Sequence, residues 1–294
     1  MILITGATGQ MGTTVIQQLL TRIPAGQIAA LARDPQKGAA LTAQGIDVRI
    51  ADYDDPPSLE RAMEGIEQVL LIAGTDEHRR VQQHRNVVEA AQRAGVRQLA
   101  YTSRDLKDRT TLNNQLMVGH FETEDIIRAS GLNFILFRNI LYMDFLVGAV
   151  GRTVFETGIQ LPAGQGRVAY ALRSELGEAM ANALIDGEWD NRTYHFTGSE
   201  TWSFEDVAAT LSDLSGKAVR YQPVEASVFE EQLMGRGVPA VLAGRMTGFL
   251  TDIGNGQEDH VTHDLERFLG RPPVTLRQGL NLLFSLQGDP VPQA

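Results

Sequence analysis

The chain has 294 residues, of which 43% are hydrophobic and 21% charged, the composition of a globular protein with one large domain or two modest ones. A formal net charge of −10 argues against nucleic acid or an anionic membrane as a partner. The absence of cysteine excludes disulfides, thiolate nucleophiles and cysteine metal sites. Because residues 1 to 5 already form a predicted strand, we expect no signal peptide and a cytoplasmic protein.

A glycine-rich turn opens the chain in the stretch MILITGATGQMG. Ile2 to Ile4 is predicted to be a buried strand, followed by a helix from Met11 to Arg22. Glycines at positions 6, 9 and 12 permit a tight turn and a close approach of backbone N–H groups to a ligand. At the positive end of a helix, such a turn is typical of a site for the pyrophosphate of a dinucleotide.

Strand-like and helix-like segments alternate through the first half of the chain, which is the pattern of a parallel sheet with crossover helices. The later predicted strands are QIAALAR, IDVRIADYDD, QVLLIAG, RQLAYTS and NFILFRN. The predicted helices between them run from Pro35 to about Gly45, from Pro57 to Met63, from Asp76 to Ala94 and from Asn114 to Ser130. The order predicts an α/β fold of the Rossmann type, with a doubly wound parallel sheet.

Beyond residue 150 the chain changes to short elements joined by glycine-rich turns such as PAGQGR. The segment TWSFEDVAATLSDLSG predicts a helix with Ser203 as N-cap and Asp206 nearly completing a capping box. We predict a Rossmann domain over residues 1 to 150. A smaller, interleaved C-terminal α/β lobe for the substrate is expected over residues 151 to 294, packed on the first.

The residues after the second strand indicate which dinucleotide is bound. Arg33 and Lys37 are two cations suited to a 2′-phosphate, whereas Asp34 precedes a proline and is better explained as a helix cap. We therefore predict NADP(H); the plainer alternative for Arg33 is a solvated surface arginine. The predicted cofactor-binding residues of the turn are Gly6, Thr8, Gly9, Gln10, Met11 and Gly12.

Further cofactor contacts are predicted at the ends of later strands. Asp52 and Tyr53 are placed to flank the adenine ring, or else form a turn that starts the next helix. Ala73 and Gly74 allow the cofactor to run close to the backbone. The remaining predicted contacts, after the fifth strand, are Thr102 and Ser103.

The catalytic Tyr-x-x-x-Lys pair of short-chain dehydrogenases is missing. The residues four positions before the three lysines are Arg33, Ser103 and Asp213. Ordinary alcohol dehydrogenase chemistry is therefore not expected, and a flat, electron-poor acceptor such as a quinone or a cationic dye, which needs less acid assistance, is favoured. His120 is the candidate catalytic residue, with a packed helix position as its alternative.

The candidate substrate residues follow the sixth strand. Asn139 ends that strand, and Tyr142, Met143 and Phe145 in NILYMDF are predicted to line a flat hydrophobic substrate, or else to be core residues. The only histidine pair at metal-like spacing, in HVTH, lacks an adjoining Glu or Cys, so we predict no metal site.

Several stretches together resemble the NmrA-like atypical short-chain dehydrogenases, in particular bacterial NADPH-dependent quinone oxidoreductases and triphenylmethane dye reductases. They are ITGATGQMG, ADYDDPPSLERAMEGIEQVLLIAG, QQHRNVVEAAQRAGVRQLAYTS, HFETEDIIRASGLNFILFRNILYMDF and TWSFEDVAATLSDLSGKAVRYQPV. The resemblance implies that Gly6 to Gly12 and Arg33 bind NADP(H) and that Asn139 lies near the nicotinamide. It also implies a cofactor contact for Arg173, whose alternative is an ion pair at a helix start.

The resemblance leaves three functions to compare. The first is a quinone reductase, the second a dye reductase, and the third an NADP(H)-binding redox sensor without turnover. Residues 104 to 119 depart from the quinone and dye reductases, which puts the preferred acceptor in question. The sequence leaves the oligomeric state open, a homodimer included.

Overall fold

The computed structural model describes residues 1–76 and 78–286. Up to the sixth strand the elements are β1 (Ile2–Ile4), α1 (Gln10–Leu20), β2 (Ile28–Ala32), α2 (Pro35–Ala43), β3 (Asp47–Ile50), α3 (Pro56–Ala62), β4 (Gln68–Leu71), α4 (Arg80–Arg93), β5 (Gln98–Arg104), α5 (Val118–Ala129) and β6 (Asn133–Asn139). They continue with α6 (Phe145–Val150), α7 (Val154–Thr157), β7 (Ile159–Leu161), β8 (Arg167–Val168), α8 (Arg173–Asp186), β9 (Arg192–Phe196), β10 (Trp202–Ser203), α9 (Phe204–Ser215), β11 (Tyr221–Pro223), α10 (Ala226–Gly235), α11 (Ala240–Gly254), α12 (Asp264–Leu269) and α13 (Leu276–Phe284).

The central sheet has the strand order β3-β2-β1-β4-β5-β6-β9. Its strands from β3 to β6 pair in parallel, and Ile4 of β1 lies between Ala30 of β2 and Leu70 of β4. The chain moves outward from β1 to β3 and then returns to β4, so the strand order reverses between β1 and β4. This arrangement confirms the predicted Rossmann-type α/β fold, and its reversal point is where such sheets bind ligands.

The inner strands form because most of their residues are apolar and buried on both faces, as expected for a parallel sheet covered by helices. All residues of β2, β4 and β5 are buried. One layer of the core joins Leu3 of β1 and Leu71 of β4 to Leu59 of α3 and Val88 of α4. This packing fixes the carboxyl ends of the strands along one edge.

Local sequence signals set several helix starts as predicted. Asp34 is the N-cap of α2, and its carboxylate accepts a hydrogen bond of 2.8 Å from the Gln36 N–H. Ser203 and Asp206 form the capping box of α9. The local polar groups therefore determine these boundaries without help from distant residues.

Two predicted helix starts are wrong. The structure begins α4 at Arg80 rather than Asp76; His78 and Arg79 form a turn before the helix, in which the Asp76 carboxylate accepts the Arg79 N–H. It begins α5 at Val118 rather than Asn114, because Gln115–Met117 form a 3-10 helix instead, and the Asp252 carboxylate accepts the N–H of Asn114 before it at 2.9 Å. In both cases a turn or a 3-10 helix precedes the α-helix, so the α-helix begins four residues later than predicted.

The strand β9 was not predicted. It has only five residues, RTYHF, and lies at the edge of the sheet next to β6. The polar residues Arg192, Thr193 and His195 interrupt it, so it lacks the apolar run that identifies the inner strands in the sequence. The sheet therefore extends one strand further than the sequence indicates.

The chain divides into two compact units that alternate along the sequence. The first comprises Met1–Arg104, Leu116–Asn139 and Ser174–His195, and the second comprises Asp105–Gln115, Ile140–Arg173 and Phe196–Ala294. These units cross the predicted boundary at residue 150 in both directions, and the division into two domains stays a prediction. Over the described part of the chain, every helix is too short or too polar to span a bilayer.

A second capping box, at α13, allows a direct test of helix stability. The Thr275 side chain accepts a hydrogen bond from the Gln278 N–H, and the Gln278 side chain accepts one from the Thr275 N–H. We expect Thr275→Ala to lower the free energy of unfolding by about 1 kcal/mol, measured by denaturant titration. Thr275→Ser, which keeps the hydroxyl, is the control. Equal stability of the Ala and Ser variants would contradict this account of the cap.

Candidate functional site

The glycine turn lies at the carboxyl end of β1, where the strand order reverses. Gly6 has φ +57°, in the left-handed region that glycine adopts without strain. The Gly9 N–H donates to the Gly6 carbonyl at 3.0 Å, and α1 begins at Gln10 without a side-chain cap. The positive end of the α1 dipole is therefore formed by backbone alone, which suits an anionic ligand.

Gly12 permits a close contact between α1 and the end of β1. A Cβ atom on Gly12 would lie 2.4 Å from the Gly6 carbonyl oxygen and 2.7 Å from the Ala7 Cα. Thr8, Gly9 and Gln10 are exposed at the tip of the turn. Met11, which is also a predicted contact, has a buried side chain, so only its backbone is available to a ligand.

Two cations lie after β2 next to this turn. Arg33 and Lys37 are exposed, and neither forms an ion pair with any residue of 1–76 or 78–286. The nearby Asp34 carboxylate already accepts the Gln36 N–H as the cap of α2. The end of β2 therefore offers positive charge without an ion-pair partner, as a 2′-phosphate requires.

The predicted adenine-flanking residues after β3 have different roles. The Asp52 carboxylate accepts the N–H of Asp54 at 3.0 Å and so stabilises a turn. The Tyr53 hydroxyl donates to Thr5 Oγ1 at 2.5 Å, and burial raises the pKa of this phenol above its ordinary value. Tyr53 thus links β3 to β1 by its hydroxyl, while its ring is partly exposed.

Thr102 and Ser103 at the end of β5 make internal hydrogen bonds. Thr102 Oγ1 accepts the N–H of Ala73 at 2.8 Å. Ser103 Oγ donates to Glu124 Oε1 at 2.6 Å. The Glu124 carboxylate also accepts hydrogen bonds from two nitrogens of the Arg138 guanidinium, Nε and Nη2. Both hydroxyls are buried, so a role of either side chain in cofactor binding stays a prediction.

The candidate catalytic residue His120 is packed inside the first unit. It is buried on α5, and its Nδ1 lies 2.9 Å from the Tyr101 hydroxyl. Burial, with the positive charge of Arg80 as a second cause, holds the pKa of His120 well below its ordinary value. The ring is therefore neutral at physiological pH and carries no proton that it releases readily; the catalytic assignment stays a prediction.

Asn139, at the end of β6, is fully buried. Neither its amide oxygen nor its amide nitrogen finds a hydrogen-bond partner among residues 1–76 and 78–286. A buried amide without partners is costly, and such groups are typical of ligand sites. Because the side chain is buried, as for Thr102 and Ser103, a ligand contact of Asn139 at the carboxyl edge of the sheet stays a prediction.

The other predicted substrate residues belong to the second unit. The Arg173 guanidinium lies 5.1 Å from the centre of the Tyr142 ring and forms an ion pair with Asp144 at 3.5 Å. Met143 is buried, whereas Phe145 packs edge-to-face on Phe249 at 5.2 Å. The ion pair proposed as the alternative for Arg173 is therefore present, and substrate or cofactor contacts of these residues stay predictions.

Comparison with known proteins decides the family, because the model of the NmrA-like family matches residues 1–269. The chain belongs to the NmrA-like family. Quinone oxidoreductase 2 of Escherichia coli strain K12 is 37% identical over 287 residues, which cover 97% of this chain and 99% of that protein. This confirms the resemblance inferred from the sequence motifs.

Two similar solved structures carry a nicotinamide cofactor. The NADPH-dependent quinone oxidoreductase QOR2 of E. coli complexed with NADPH has a TM-score of 0.91 and 36% identity, covering 97% of this chain and all (100%) of that one. The triphenylmethane reductase of Citrobacter sp. complexed with NADP(H) has a TM-score of 0.90 and 36% identity, covering 96% and 100%. Our NmrA-like chain therefore shares its fold with both.

The close approach at Gly12 predicts that the glycines of the turn differ in how well they tolerate substitution. In this NmrA-like protein Gly12→Ala places a methyl group against the Gly6 carbonyl, and we expect a loss of about 1–3 kcal/mol in the free energy of unfolding. Gly9→Ser is the matched control, because its Cβ would meet only the Gly6 oxygen at 3.2 Å and serine is a good N-cap. Denaturant titration that ranks the two equally would refute the contact.

Proposed function

We propose that the protein is an NADPH-dependent oxidoreductase that passes a hydride to a flat, electron-poor acceptor of the quinone type. The observation that carries this proposal is the pair of cations Arg33 and Lys37, beside a glycine turn without a side-chain cap. A 2′-phosphate and a pyrophosphate would satisfy the two features. The likeness to quinone oxidoreductase 2 supports the same assignment.

The residues present fit the cofactor at several points. The backbone from Gly6 to Gly12 would hold the pyrophosphate, and Arg33 with Lys37 the 2′-phosphate. Asn139 offers a buried amide at the same edge of the sheet, in a position suited to the nicotinamide. When bound, NADPH supplies the hydride, and the protein supplies binding, orientation and electrostatics.

The internal hydrogen bonds favour an acceptor that needs little acid assistance. Ser103 donates to Glu124, and His120 is neutral and bonded to Tyr101. Neither group is therefore prepared to donate a proton to a ketone oxygen. A quinone, whose reduced form takes protons from water, is compatible with this environment.

Two alternatives have specific support. The triphenylmethane reductase of Citrobacter sp. is as similar to the chain as the quinone reductase structure, which makes a cationic dye the alternative acceptor. Because Ser103 and His120 are hydrogen-bonded to Glu124 and Tyr101, a redox sensor that binds NADP(H) without turnover is also compatible with the structure. We further propose that nucleic acid is not a partner, on the basis of the net charge of −10. The cytoplasm stays the expected location.

A direct test is the absorbance of NADPH during turnover. The purified protein is incubated with NADPH or NADH and a panel of quinones and cationic triphenylmethane dyes. We expect acceptor-dependent oxidation of NADPH, faster with quinones than with dyes. Binding of NADPH without oxidation by any acceptor would replace the reductase by the sensor, and a preference for dyes would replace the quinone.

Arg33 predicts the preference between the two cofactors. We expect Arg33→Ala to weaken NADPH binding about 10-fold to 100-fold, the effect of losing a charge-assisted hydrogen bond, and to change NADH binding less than about 2-fold. The control is Arg93→Ala, an exposed arginine at the far end of α4. Fluorescence titration that shows equal weakening for both cofactors would remove Arg33 from the phosphate site.

A further inference from the structure

The segment Ile72–Gly74 follows β4 and faces the glycine turn across the point where the strand order reverses. A Cβ atom on Gly6 would lie 3.3 Å from the Ile72 Cβ, so the turn and this segment are adjacent. Ligands of open α/β sheets bind in the crevice between such segments. Its backbone therefore determines the shape of one wall of the crevice.

Every backbone N–H of this segment donates to a side chain from a different element. The three hydrogen bonds are Ile72 N–H to Thr5 Oγ1 at 2.9 Å, Ala73 N–H to Thr102 Oγ1 at 2.8 Å and Gly74 N–H to His84 Nε2 at 3.0 Å. Because these three N–H groups are directed into the protein, the segment does not donate them to a ligand. It provides a surface of fixed shape and apolar contacts instead.

Two residues of α4 hold Gly74 from both sides. His84 accepts the Gly74 N–H, and the Arg80 Nε donates to the Gly74 carbonyl at 2.9 Å. Arg80 is buried and also donates to the Leu116 carbonyl at 3.3 Å. The peptide groups on either side of Gly74 are thus fixed by side chains one helical turn apart.

The neighbours of His84 fix its tautomer. Since Nε2 accepts the Gly74 N–H, the proton is on Nδ1, which lies 2.9 Å from the Thr123 hydroxyl. That hydroxyl donates to the Gly119 carbonyl at 2.8 Å and so accepts from the ring. Burial, with Arg80 as the second cause, lowers the pKa of His84 to about 3. The imidazole therefore keeps its Nε2 acceptor throughout the physiological pH range.

We propose that His84, together with Arg80, is a positioning residue that sets the Ile72–Gly74 wall against which the dinucleotide lies. This inference rests on the proposed cofactor site. Because the wall would contact a part shared by NADPH and NADH, its displacement affects both cofactors alike. Loss of Arg33, by contrast, affects only the phosphorylated one.

The test compares three variants by fluorescence titration with NADPH and with NADH, at a temperature where each is folded by circular dichroism. His84→Leu removes both ring hydrogen bonds and is expected to raise both dissociation constants by the same factor, about tenfold. His84→Gln keeps an acceptor near the Nε2 position and is expected to bind within about threefold of the wild type. Val88→Ala, a buried residue one turn further along α4, is expected to lower the melting temperature without changing either constant.

A milder variant keeps the test decisive if His84→Leu does not fold. Thr123→Val removes the hydroxyl that fixes the Nδ1 proton, and we expect both dissociation constants to rise by a smaller common factor. Wild-type affinity in whichever of these two variants folds would overturn the positioning role. A loss of affinity confined to NADPH would also overturn it. The same holds for a loss of affinity no larger than that of Val88→Ala, compared at equal melting temperature.

The wild type separates the two proposals. If it binds neither cofactor, the proposed function fails and the positioning role fails with it. If it binds both and the His84 variants follow the pattern above, both stand. If it binds both and the His84→Leu constants are unchanged, only the positioning role is lost.

Discussion

The contact between Gly12 and the Gly6 carbonyl is the constraint on which the site depends. With 2.4 Å between that oxygen and a hypothetical Cβ, only glycine allows α1 to start directly at the end of β1. This start directs the N–H groups of the first helical turn towards the sheet edge. The pairing of β1 with β4 brings the end of β1 against Ile72, so the glycine turn and the Ile72–Gly74 segment lie on either side of the reversal in strand order.

Positive charge and hydrogen bonding have separate roles at this edge of the sheet. The end of β2 supplies positive charge in Arg33 and Lys37, neither of which forms an ion pair within the described residues. The segment after β4 supplies a fixed backbone, because its N–H groups are all bonded to side chains. We attribute the preference for NADPH over NADH to the two cations. We attribute the affinity common to both cofactors to the fixed backbone after β4.

The sequence predicts what depends on neighbouring residues. The glycine turn, the Asp34 cap and the Ser203 capping box were found because their signals lie within a few positions. The hydrogen bonds of Ile72 and Ala73 were missed, since their partners are 67 and 29 positions away. His84 was missed for a different reason: it lies only ten positions from Gly74, but in QQHRNVV it resembles any polar residue of a helix, and nothing in the sequence indicates that its side chain accepts the Gly74 N–H.

In the proposed complex NADPH lies on the glycine turn and the end of β2. Hydrogen–deuterium exchange followed by mass spectrometry, with and without saturating NADPH, tests this directly. We expect slower exchange in peptides that cover residues 9 to 13 and 33 to 37, and weaker protection of the second peptide with NADH. Binding of NADPH that leaves exchange in both peptides unchanged would contradict the account.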